Sequence, residues 1–146
     1  MPLVQRFAQV FGIIYLLVGV LGFIPVPPLL METVPPEFWG PFSGFLLGLF
    51  AVNWFHSLAH LLIGVAGLVV YRSVFASKVY TLALGVAYAV LFLLGILTGE
   101  GMAPLLGGLL SPLNVPDDVL HLLTALAAFG AYLFSTRRIS ETERVA

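Results

Sequence analysis

The apolar positions of this chain fall in long unbroken blocks rather than in alternating faces, and four blocks approach the ~20 residues needed to cross a hydrocarbon layer of roughly 30 Å. They cover about residues 7–24, 53–71, 79–97 and 116–134. All ten prolines lie outside the central parts of these blocks, as unbroken helices require where lipid offers the backbone no partner. The pattern predicts an all-α fold: a membrane four-helix bundle in a single integral membrane domain.

The blocks also repeat. Asn53-Trp54-Phe55-His56-Ser57-Leu58-Ala59-His60-Leu61-Leu62 aligns without gaps on Asn114-Val115-Pro116-Asp117-Asp118-Val119-Leu120-His121-Leu122-Leu123, and the match runs on through Ala66 with Ala127 to Tyr71 with Tyr132. Gly12, Tyr15, Leu21 and Gly22 match Gly85, Tyr88, Leu94 and Gly95 in the same way. Leu, Ala and Gly recur in any membrane segment, so the paired Asn, His and Tyr carry this reading. It predicts two tandem pseudo-symmetric helical hairpins, about residues 6–72 and 78–134. They would be related by an axis along the membrane normal, with His60 and His121 at equal depth.

Ahead of each paired His lies a short apolar, Gly-containing stretch, Pro41 to Val52 and Gly101 to Leu113. Asn53 and Asn114 are suited to cap the helices that follow, and Pro116 to an early helical position. The stretches then pack as partial cover at the outer interface. An unbroken second helix from about Ser43 is the alternative.

Composition fixes the solvent. The chain has 146 residues, 60% hydrophobic and 9% charged, with a mean hydropathy of +1.09. A soluble domain carries about 25% charged residues, so a water-soluble globule is excluded. The absence of Cys rules out a disulfide scaffold, and a net charge of -1 without a basic run argues against a nucleic-acid binder.

Charge also orients the bundle. Arg6, Arg72, Lys78, Arg137, Arg138 and Arg144 fall in the amino terminus, the loop between helices two and three, and the carboxyl tail. The other two loops carry Glu32, Glu37, Glu100, Asp117 and Asp118. The positive-inside rule then puts both termini in the cytoplasm of a multi-pass protein of the bacterial cytoplasmic membrane. Tyr71, Tyr80 and Tyr132 would mark the inner interface, Trp39 and Trp54 the outer one. The first block lacks a small-x-small cleavage site and reads as a retained helix rather than a signal peptide.

Chemistry concentrates at all three histidines. His56 and His60 are spaced i, i+4, as are Asp117 and His121, so each pair shares a helix face. One reading is a metal site in which His56, His60, Asp117 and His121 present three imidazoles and a carboxylate to zinc, copper or iron. A second is haem held between His60 and His121, with Gly64, Gly67, Ala125 and Ala128 leaving room for the macrocycle. A third needs no ligand: buried imidazoles bond across the helices as structural glue, and Asp117 and Asp118 sit against a helix dipole. No phosphate-binding Gly loop, serine nucleophile or paired acid points to a hydrolase or nucleotide enzyme. A non-catalytic accessory subunit of a larger membrane complex, or a homo-oligomer, fits the small size and the Gly face of Gly12, Gly19 and Gly22.

The motifs Asn53-x-x-His56-x-x-x-His60-Leu61-Leu62-x-Gly64 and Asn114-x-x-Asp117-x-x-x-His121-Leu122-Leu123, with the opening Phe11-Gly12-Ile13-Ile14-Tyr15-Leu16-Leu17-Val18-Gly19, carry a resemblance from about Arg6 to Tyr132. On these residues the chain resembles a bacterial membrane family known as domain of unknown function 4383. The resemblance implies four membrane helices and no established activity. Asp118 stands where the family pattern has Asn, and spacing favours Asp117 as the carboxylate that matters.

Overall fold

A computed structural model describes residues 1–24, 31–33, 41–98 and 114–145, with side chains for 1–24, 41–97 and 114–135. Four helices occur among them: α1 (Leu3–Leu21), α2 (Trp54–Val70), α3 (Val74–Thr98) and α4 (Val115–Val145). Three short strands, β1 (Met31–Thr33), β2 (Gly44–Leu46) and β3 (Phe50–Val52), lie between α1 and α2. Trp39, Glu37, Glu100, the stretch Gly101 to Leu113 and the side chains of Glu32, Arg137, Arg138 and Arg144 lie outside the described residues.

Local chemistry sets the helix ends. Asn53 Oδ1 accepts the His56 amide at 2.9 Å, and Asn114 Oδ1 accepts the Asp117 amide at 3.1 Å. Each Asn thereby satisfies a first-turn donor that has no intrahelical acceptor. α2 therefore begins at Trp54 rather than near Ser43. Pro116 sits in the first turn of α4, where a missing N–H costs nothing. Ser73 Oγ accepts the Ala76 amide at 3.3 Å, and this cap lets α3 start at Val74, earlier than its apolar core suggests.

α1, α3 and α4 are long and apolar enough to span a membrane, and α2, at 17 residues, is at the short limit. α1 pairs most extensively with α2, and α3 with α4, each pair antiparallel. The chain is a largely membrane-spanning four-helix bundle with hairpin-like pairing.

The bundle is inverted relative to a soluble one. Its inner faces carry Gly12, Gly19, Gly64 and Gly67, Ala125, Ala128 and Ala131, with Ser57, Ser77, Thr81 and Thr124 and the aromatic rings of Phe7, Tyr15 and Tyr88. Leu, Val and Ile project outward along every helix. Small inner residues let backbones approach where no hydrophobic force drives helices together. A methyl group on Gly12 would fall 3.0 Å from the Leu68 nitrogen and 3.1 Å from the Gly67 carbonyl carbon. On Gly85 it would fall 3.1 Å from the Phe129 ring and 3.3 Å from Ala128 Cβ. Gly22 lies against Ser57, and Gly95 against the Asp118 carboxyl.

The strands depart from an all-α fold. Residues 41–52, read from sequence as an apolar cover, form an antiparallel hairpin in which Gly44 pairs with Val52, Phe45 with Ala51 and Leu46 with Phe50. β1 joins on the other side of β2, giving the order β1-β2-β3. Leu47 (φ 56°) and Gly48 (φ 68°) both take left-handed backbone in the turn, the conformation whose twist suits a tight hairpin. Gly48 was the only local turn signal, and β-branched alternation is absent, so the sequence did not announce these strands. The hairpin leaves β3 as an edge strand beside the capped ends of α2 and α4.

Candidate functional site

Ala51 is the centre of the polar cluster, although nothing in its side chain suggests it. Its Phe45 partner is the middle pair of the β2–β3 ladder. Ala51 turns its own amide and carbonyl away from β2, toward the helices. The amide donates to Asp117 Oδ2 at 3.1 Å, and the carbonyl lies 3.1 Å from His56 Nδ1. A buried edge strand needs such partners, because an unpaired backbone group in a dry interior costs on the order of 1–3 kcal/mol. Asp117 Oδ2 also accepts the Asn114 amide at 3.3 Å, and Asn114 Nδ2 donates to the Leu49 carbonyl at 2.7 Å. The β-hairpin is thus tied to α2 by His56 and to α4 by Asp117 and Asn114.

The bond to a carbonyl dictates the protons of the next two rings. Ala51 O only accepts, so His56 Nδ1 carries a proton and donates it. In the neutral ring His56 Nε2 is then an acceptor. It lies 3.1 Å from His60 Nε2, which must therefore donate. This leaves His60 Nδ1 as a bare acceptor, buried and without a partner among the described residues; His121 Nδ1 is likewise buried there without a hydrogen-bond partner.

The rings form a circuit. His56 and His60 centroids are 4.3 Å apart, His60 and Tyr15 5.0 Å, Tyr15 and Tyr88 5.5 Å, Tyr88 and His121 5.1 Å, and His121 and His56 6.5 Å. Tyr15 meets His60 and Tyr88 meets His121 at the same interplanar angle of 63°. All five side chains are buried, so the circuit is an interior feature of the bundle. Beside it the Tyr15 hydroxyl and Thr124 Oγ1, 3.2 Å apart, link α1 to α4. Tyr80 links α3 to α2 by donating to the Ile63 carbonyl at 3.2 Å.

The structure brings His56, His60, His121 and Asp117 to one end of the bundle in the way sequence spacing anticipated, but their donor atoms are committed differently from a four-ligand metal centre. Both nitrogens of His56 are bonded, one to Ala51 and one to His60, and Asp117 Oδ2 holds two backbone amides. Among the described residues no group of three or more His, Asp or Glu side chains is arranged to hold a metal ion. The spacing i, i+4 placed the side chains on one face correctly. It carried no information about a strand whose exposed edge would claim two of them. Asp118, set aside from sequence, is pressed against Gly95, with Oδ1 buried and without a partner among the described residues. Tyr15, Tyr88, Thr124 and Ala51 were not read as site residues. The paired Tyr of the repeat was the signal that pointed to the first two.

These features define a small polytopic helical membrane protein whose interior polar cluster bonds helix to helix and helix to strand. The chain belongs to the family described as Domain of unknown function (DUF4383), whose model matches residues 5–134. No curated protein and no solved structure matches it.

Proposed function

We propose that the protein is a non-catalytic structural or accessory membrane subunit, and that its His/Asp cluster serves as interhelical glue. The observation that carries this reading is the double capture of Ala51, whose amide goes to Asp117 of α4 and whose carbonyl goes to His56 of α2. Groups spent on backbone are not free for substrate chemistry.

The same proposal includes a duplicated origin for the two hairpins. Its support is the equal Tyr–His geometry in each, together with the contacts Gly22–Ser57 and Gly95–Asp118 at corresponding positions. It also includes insertion in the bacterial cytoplasmic membrane with both termini in the cytoplasm, on the strength of where the six basic residues fall.

A cofactor reading rests on one observation, the Nδ1 atoms of His60 and His121, both buried without a hydrogen-bond partner among the described residues. Two axial imidazoles for haem, or two ligands for a metal ion, would use those atoms. Elemental analysis and an absorption spectrum of detergent-purified protein, run beside His60→Ala and His121→Ala, separate the readings. The structural reading expects neither stoichiometric metal nor a Soret band, and a membrane partner that co-purifies stoichiometrically with wild type and with both variants. Bound metal or haem lost in both variants overturns it.

A further inference from the structure

The topology gathers positive charge at the end of the bundle opposite the His cluster. α1 lies antiparallel on α2 with Ala8 against Gly67, so Arg6 stands level with the short turn Tyr71–Ser73 that joins α2 to α3. Lys78 follows within the first turns of α3. The Val4 amide donates to Ser135 Oγ at 3.0 Å, bringing the start of α1 to the part of α4 just before Arg137 and Arg138. The carboxylates whose side chains are described, Asp117 and Asp118, begin α4 about 25 Å away at 1.5 Å per residue, beyond the screening length of physiological salt, while Glu141 and Glu143 follow the two arginines toward the end of α4.

Arg6, Arg72 and Lys78 form no ion pair among the described residues. Arg72 is fully exposed yet oriented: its Nε donates to the Tyr71 hydroxyl at 3.1 Å, and its guanidinium carbon lies 5.6 Å from that ring's centroid. One of its five N–H donors is thereby used. The four on the terminal nitrogens remain as a planar fork, the geometry that matches two oxygens of one phosphate. Directly beside this rim, Val69 is 72% exposed and Phe75 78% exposed. A cationic fork next to bare apolar side chains fits a ligand that is anionic at one end and hydrocarbon at the other.

We propose that the rim formed by Arg6, Arg72 and Lys78 binds the headgroups of anionic phospholipids, with the acyl chains lying along Val69 and Phe75. Each cation near an anionic surface contributes about 1 kcal/mol, roughly fivefold in affinity. This inference needs only that the bundle sits in a membrane, and it stands whether the His cluster is glue or a cofactor site.

The test uses the full chain in mixed micelles with phosphatidylglycerol and phosphatidylcholine of matched acyl chains, read by native mass spectrometry as lipid retained per protein. Wild type should retain phosphatidylglycerol several-fold over phosphatidylcholine, and high salt should erode the difference. The triple variant Arg6→Gln/Arg72→Gln/Lys78→Gln should lose the preference. Arg72→Lys, which keeps charge without the fork, should keep part of it and guards against a folding artefact. Equal retention of both lipids by wild type, or an unchanged preference in a monodisperse triple variant, overturns the proposal. So does complete displacement by millimolar inorganic phosphate, which would reassign the rim to the free ion.

Discussion

Asp117 of α4 accepts the Ala51 amide of β3 through Oδ2 at 3.1 Å, across 66 positions of the chain. A carboxylate at the start of a helix is ordinarily explained by the helix dipole. Here the same oxygen also completes the edge of a β-hairpin, so one side chain fixes the position of two elements. Asp117→Ala should leave the Ala51 and Asn114 amides without that acceptor and destabilise the protein by about 1–3 kcal/mol. Asp117→Asn keeps an oxygen and should cost less. Thermal unfolding in detergent measures both, and an unchanged midpoint in the alanine variant refutes the tie.

The close approaches of the hairpins set the second expectation. A side chain on Gly64 would meet the backbone of Leu16, and one on Gly19 would fall 2.8 Å from Leu61 Cα. Backbone cannot step aside as a flexible side chain does, so Gly64→Ala and Gly19→Ala should each cost about 1–3 kcal/mol, as overpacking does. Gly130 has nothing within 4 Å of the added methyl group. Gly130→Ala should be neutral or stabilising through helix propensity. Equal midpoints for all three variants contradict the packing described.

The link between Tyr15 and Thr124 calls for a double-mutant cycle. Their oxygens are 3.2 Å apart and join α1 to α4, so the bond acts between the two hairpins. Tyr15→Phe and Thr124→Ala should each lower stability, and the double variant should fall short of their sum by about 0.6 kcal/mol, the average for such bonds in membranes. Strict additivity rules out a direct interaction.

Much of this architecture was legible beforehand, for a physical reason: lipid forces long apolar helices, and those are visible as composition alone. Asn53 and Asn114 marked helix starts because capping is a property of one side chain and its neighbours. The inner faces were legible only in part. Gly12, Gly19 and Gly22 stood out, but Leu and Val look alike whether they face lipid or protein. The hairpin at residues 44–52 was not legible, since its ladder pairs residues whose only local mark is Gly48. With the strand went the role of Ala51, and so the reason that His56 and Asp117 bond to backbone. Candidate ligands can be counted from a sequence. Which of their lone pairs are already taken depends on a nonlocal backbone group.

That dependence gives the sharpest expectation for the histidines. Because a carbonyl can only accept, the proton of His56 belongs on Nδ1, and the 3.1 Å contact between the two Nε2 atoms then places the proton of His60 on Nε2. The two rings therefore adopt opposite tautomers although they lie one helical turn apart in similar surroundings. Nitrogen-15 spectra of histidine-labelled protein in bilayers resolve protonated from bare ring nitrogens. They should show His56 bare at Nε2 and His60 bare at Nδ1. Asp117→Ala, by loosening β3, should weaken the preference at His56 and pass the change to His60. His121, which has no hydrogen bond to a strand among the described residues, should respond least. If His56 carries its proton on Nε2, the chain of bonds from Ala51 to His60 does not exist and His56 does not tie β3 to α2 through the Ala51 carbonyl.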